Sequence, residues 1–146
     1  MPRATIDTTA TERFPLESLP ATSEDEEGWI ELRKLSYGQI LTRRDMATGM
    51  AIEGIGDSKG RDDDIKATID IIQKAVTEYE FKNCIVSHNL EDDKGNLLNF
   101  NNPKSVTDLD PLVGQEIGKL IDDLNQWDTD LKGKDEKTSE PESELV

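Results

Sequence analysis

The sequence predicts a mainly α fold: a small helical domain of about three amphipathic helices with a short N-terminal strand and a small hairpin, between disordered acidic termini. Three observations carry this. Apolar residues recur at three- and four-residue steps in three separate stretches, the spacing that gathers them on one face of a helix. Asp93, Lys94, Gly95 and Asn96 are the residue types of a tight turn between short extended pieces. Acid is concentrated at the ends: residues 1–28 hold seven acids against Arg3 and Arg13, and residues 128–146 hold seven against three lysines. With 34% of 146 residues hydrophobic and 5% aromatic, one domain can bury a core over residues 29–127. The ends cannot offset the entropy of ordering in that way.

Residues 1–28 are expected to be a disordered acidic segment, in which Phe14, Leu16 and Leu19 either stay mobile or dock as a short peptide. Next, Trp29, Glu31 and Arg33 alternate with Ile30, Leu32 and Lys34, a strand pattern whose length suits an edge or a two-stranded element. Ser36 and Gln39 have the spacing of a capping box, so a helix starts there. Its stripe is Tyr37, Ile40, Leu41, Ala47, Met50 and Ala51, and Gly54, Gly56 and Gly60 are expected to break it. A second helix carries Ile65, Ile69, Ile72, Val76 and Tyr79 at alternating steps of four and three, which predicts a face packed on another helix. Beyond it, residues 81–100 either continue as helix or turn into strand around Ile85 and Val86, before the hairpin turn. Asp110 and Pro111 read as N-cap and first residue of a third helix, with Leu112, Val113, Ile117, Leu120, Ile121, Leu124 and Trp127 on one face. Residues 128–146 read as a second disordered acidic tail.

No catalytic, cofactor-binding or metal-ligating constellation emerges. If Gly95 held the sixth place of a calcium loop, Leu90 and Asn101 would stand where the first and last carboxylates belong. Around Gly133, Lys132 and Ser139 occupy ligand places in the same way. Lys59 replaces the third glycine of a dinucleotide fingerprint in Gly54-Ile55-Gly56-Asp57-Ser58-Lys59, and no Gly-Lys-Ser or Gly-Lys-Thr follows. Cys84 and His88 would share a helical face at a spacing of four, yet a small semi-apolar core residue is the ordinary role for a cysteine in that setting. The expectation is an interaction protein, neither an enzyme nor a cofactor carrier.

Charge narrows the partners. A net charge of −15 opposes nucleic acid and anionic membranes. One cysteine permits no internal disulfide, and no apolar run reaches the roughly 20 residues of a membrane span. A soluble, cytoplasmic protein is therefore expected. The basic quartet Arg33, Lys34, Arg43 and Arg44 is expected to pair with the acidic tails.

The order of parts resembles the tail assembly chaperones of long-tailed, siphovirus-type bacteriophages over residues 28–127. The markers are Trp29-Ile30-Glu31-Leu32-Arg33-Lys34-Leu35-Ser36 leading into a helix with Arg43-Arg44-Asp45, and Asn89-Leu90-Glu91-Asp92-Asp93-Lys94-Gly95-Asn96 ahead of Leu98-Asn99-Phe100. Members of that family commonly have a tryptophan near the position of His88, a departure in this chain. The resemblance implies a helical protein of the host cytoplasm that binds and solubilises the tape measure protein and helps recruit tail tube protein. A structural tail or neck component, or an acidic regulator that sequesters a basic protein, are the alternatives, and self-association stays open. The partner surface is expected on the first helix, formed by Tyr37, Ile40, Arg43, Arg44, Met46, Met50, Ile52 and Ile55. Methionines adapt to varied partner surfaces, although Tyr37, Ile40 and Leu41 also suit the domain's own core.

Overall fold

The computed structural model describes residues 1–7, 9–58 and 62–126. Its elements in chain order are strands β1 (Glu12–Pro15) and β2 (Trp29–Leu32), helices α1 (Tyr37–Ser58) and α2 (Asp62–Cys84), strand β3 (Ile85–His88), and helices α3 (Pro103–Thr107) and α4 (Pro111–Asn125). The expected helix-rich domain with an N-terminal strand and a hairpin is present, built around an antiparallel three-stranded sheet in the order β1-β2-β3. Strand β2 is therefore the central strand, not the edge strand that its length suggested. The reason lies outside the strand: residues 12–15 and 85–88 supply neighbours that β2 alone does not reveal.

The sheet follows the period of two. Ile30 and Leu32 are fully buried, while Trp29 and Glu31 face the other way and are part-exposed. One rung aligns Phe14, Ile30 and His88 and the next aligns Glu12, Leu32 and Ile85, with a bulge between Glu31 and Leu32. On the outer face Arg13 lies 3.6 Å over the Trp29 ring, and Thr11 donates a hydrogen bond to Glu31. The inner face packs on Phe81 and Cys84 at the end of α2 and on Val113, Ile117 and Ile121 of α4. Phe81, Phe100 and His88 interlock edge to face at centroid separations of 6.0 and 4.9 Å.

Local signals behave as the residue types dictate. Ser36 N–H donates to Gln39 Oε1 at 2.9 Å and Gln39 N–H to Ser36 Oγ at 3.2 Å, the reciprocal capping box at the start of α1. Asp110 accepts from Leu112 N–H ahead of Pro111. Asn102 caps the short α3 in the same manner, with Pro103 behind it, an Asn-Pro signal that helical periodicity misses because the helix is only five residues long. The hairpin turn has Gly95 at φ 84°, and Asp92 Oδ1 accepts the N–H groups of Lys94 and Asn96.

Several expectations need correction. Residues 12–28 belong to the fold, because one apolar side chain, Leu16, is fully buried and the bare edge of β2 satisfies the strand's backbone. Helix α1 runs through Gly54 and Gly56 to Ser58. Each helical glycine costs about 1 kcal/mol, too little by itself to end a helix; Gly60 lies outside the described residues. Residues 81–100 divide between the end of α2, strand β3 and the hairpin. In the second helix Val76 is buried but Ile69 is 44% exposed, and in the third Leu112 is 67% exposed. Ile69 lies where α2 has only α1 beside it, and Leu112 is turned off the Val113–Ile117–Ile121 stripe. Trp127 and residues 128–146, with the calcium-loop test at Gly133, lie outside the described residues.

This division predicts unequal costs. Ile121→Ala should destabilise the fold by about 2–5 kcal/mol and Ile69→Ala by less than about 1 kcal/mol, as urea unfolding would measure; similar losses would contradict the placement of the core.

His88 adds a pH dependence. Its Nδ1 accepts Leu90 N–H at 3.0 Å; burial lowers its pKa below the ordinary 6.5, opposed by a hydrogen bond with the Leu98 backbone. The folded chain thus binds that proton less readily than the unfolded chain. The stability supplied by neutral His88 is complete above the unfolded value and is lost as pH falls through it toward the lower folded value. The stability gap between the native chain and His88→Asn should therefore narrow between about pH 7.5 and pH 5, and a gap constant across that range would exclude this role.

Candidate interaction surface

Helices α1 and α2 form an antiparallel pair, since Arg43 near the start of one meets Glu80 near the end of the other. At the root of the pair lies a belt of polar contacts. Arg43 Nε donates to Glu80 Oε2 at 2.5 Å, with the Glu80 side chain 8% exposed. Gln39 Nε2 reaches Asn83 Oδ1 at 3.4 Å, Asn83 Nδ2 donates to Tyr79 O at 2.8 Å, and Arg33 Nε donates to Asn83 O at 3.1 Å. Asn125 at the end of α4 accepts Leu35 N–H at 2.9 Å and donates to Ile121 O. These contacts tie the root of the helix pair to the sheet and to α4.

Farther out the character changes. Among the described residues of α2 the buried ones are Val76, Glu80, Phe81 and Cys84, all in its second half, and no described side chain of α1 is buried. Two helices can cover only one face of each other. Large apolar side chains are left in solvent there, Ile52 at 71%, Ile71 at 58% and Ile69 at 44% exposure, as is Tyr37 at 72% beside the root. Along α1, Tyr37, Leu41, Arg44, Thr48 and Ile52 follow at steps of three and four, so they form one outward stripe.

The expected partner residues therefore separate into two groups. Tyr37, Arg44 and Ile52 are exposed on the outward stripe. Ile40 packs against the core cluster, Arg43 is engaged by Glu80, and Met46 and Met50 are half-buried; with Arg43 they take the side turned to α2. The side chain of Ile55 lies outside the described residues. Sequence reasoning missed Ile71 and the exposed part of Ile69, because both sit in an apolar pattern that looks like a core stripe. Arg43, expected to pair with an acidic tail, pairs with α2 instead.

The Cys84–His88 pair is not poised for catalysis. Burial pushes the Cys84 thiol up to about 12, against a stabilising contact from Asn125, and α2 ends at Cys84, so His88 lies in a strand and turns to Phe100. Among the described residues no group of three or more His, Cys, Asp or Glu side chains is placed to hold a metal ion. Within the same residues, no helix is long and apolar enough to cross a membrane. Compared with known protein families, curated protein sequences and solved structures, the chain matches none.

The root belt makes a specific prediction. Burial raises the Glu80 pKa above 4.5, opposed by the Arg43 charge and hydrogen bond. Arg43→Ala strands that charge and should cost about 3 kcal/mol at neutral pH. Arg43 opposes the upward shift, so in Arg43→Ala the folded value rises further; the variant gains more stability than the native chain as Glu80 takes its proton, and its deficit should shrink as pH falls toward about 5. Thermal melts across that range test it; a deficit that grows with acid would reverse the assignment.

Proposed function

We propose that this chain is a tail assembly chaperone of the long-tailed bacteriophage kind, which binds the tape measure protein in the host cytoplasm, keeps it soluble and helps recruit tail tube protein. The observation that carries this reading is the outer part of the α1–α2 pair, where Ile52 of α1 and, on different sides of α2, Ile69 and Ile71 stand in solvent. An exposed apolar side of such a helix pair accepts an amphipathic helix lying along it, with anchors at three- and four-residue steps. The resemblance of residues 28–127 to that family supports the same reading, since a rod-like tape measure protein presents helices of this kind.

The polar root supports a division of labour. The body fixes the position of the helix pair, and the outer pair meets the partner. Arg44 on the outward stripe sets a basic point among acidic surroundings, which favours one orientation of a charged partner more than it adds affinity. The net charge of −15 keeps the unoccupied chaperone dispersed and away from nucleic acid.

Co-expression with the tape measure protein of the same genome tests the proposal. A soluble complex should form and survive high salt, and Ile52→Asp combined with Ile71→Asp should abolish it without shifting the melting temperature, because both side chains are already in water. A tape measure protein that stays insoluble and unbound counts against the reading. Binding that disappears with salt would instead favour an acidic regulator of a basic protein.

A further inference from the structure

We propose that residues 12–18 form a latched strap, fastened to the body by the Glu116 carboxylate, which opens as a unit and uncovers the edge of β2 together with the slot filled by Leu16. This inference does not depend on the identity of the partner. Glu116 stands in the second turn of α4 and uses both carboxylate oxygens. Oε2 accepts Glu17 N–H at 2.7 Å, and Oε1 accepts Ser18 N–H at 3.0 Å and the Ser18 hydroxyl at 2.6 Å. Hydrogen bonds to an ionised carboxylate are the strong ones, and α4 is held rigidly by Val113, Ile117 and Ile121 in the core.

Besides the β1–β2 ladder, the strap is held on the outer face by Arg13 over Trp29 and Thr11 on Glu31, and on the inner face by Phe14 and Leu16. The described residues before Phe14 are exposed, Phe14 is half-buried, and Leu16 is the one large side chain among residues 1–28 that is fully buried. Strand β1 has a single neighbour in the sheet. Two backbone bonds close the turn, Leu16 N–H to Gly28 O and Gly28 N–H to Leu19 O, each 2.8 Å. Beyond them residues 20–27 are exposed, and Glu24, Asp25, Glu26 and Glu27 repel one another along the chain. This loop spans a cavity of about 740 Å³ lined on the body side by Leu90, Leu98, Leu109 and Val113, so it is not packed down on the domain.

The inner limit of the strap is equally clear. Asn89 Oδ1 accepts Trp29 N–H at 2.8 Å, and its Nδ2 donates to Glu27 O at 2.9 Å. These bonds pin the chain where it enters β2 whether or not β1 is in place. Gly28 is tightly enclosed, since a Cβ there would come within 2.9 Å of Leu19 Cβ. Opening therefore turns on residues 20–26 and leaves β2, β3 and the helices standing. In the open form the β2 edge and the Leu16 slot lose their cover.

Hydrogen–deuterium exchange on the full chain tests this with two substitutions. Glu116→Gln keeps the side-chain shape but replaces one acceptor oxygen with an NH₂ group, which meets a backbone N–H donor against donor. Exchange at residues 12–18 and 29–32 should accelerate on the order of tenfold or more, while amides of α4 and the second half of α2 keep their rates. Ser18→Ala removes only the hydroxyl contact and should give a smaller increase confined to the same two stretches. Unchanged rates in both variants, or an increase spread evenly over the whole chain, would overturn the latch.

Discussion

The fold depends on covering one face of one short strand. Ile30 and Leu32 of β2 are both fully buried, and a three-stranded sheet with four-residue strands cannot bury them by itself. The cover comes from the end of α2, through Phe81 and Cys84, and from α4, through Val113, Ile117 and Ile121. Because α2 gives its second half to this purpose, its first half and α1 project beyond the sheet. The helix pair that extends past the core is thus a consequence of where the core is.

A polar belt marks the boundary between the two regions. Buried Glu80 is balanced by Arg43, and Asn83 and Asn125 satisfy the chain ends where α1, α2, β2 and α4 converge. Buried polar groups of this kind are destabilising unless every partner is in place. Their effect here is to fix the direction in which the helix pair leaves the body. Rigidity at the root and apolar exposure farther out suit a surface that must be positioned before it is occupied.

The N-terminal segment shows how weakly composition constrains a chain that has a neighbour. Its acid and its shortage of large apolar groups predict disorder, and for residues in isolation that argument is sound. In the folded chain a strand edge, one leucine slot and the Glu116 carboxylate are among the contacts that give it a definite place. None of those three lies within the segment, and Glu116 is about a hundred residues away.

What the sequence determined was local and periodic. The Ser36–Gln39 capping box, the Asp110–Pro111 helix start, the Gly95 turn and the Val113–Ile117–Ile121 stripe all depend on side chains acting on backbone within four or so residues, or on a repeat that one helix displays by itself. The candidate surface was legible in part: Tyr37, Arg44 and Ile52 could be placed on α1, but the sequence did not separate them from Ile40, Arg43, Met46 and Met50 on the same helix. Tertiary structure alone decided that β2 is central, that Ile69 and Ile71 are open to solvent, and that Arg43 belongs to Glu80. The physical reason is common to all three. An apolar periodicity states that a face will be buried if something meets it, and which element arrives is settled by pairings between distant parts of the chain.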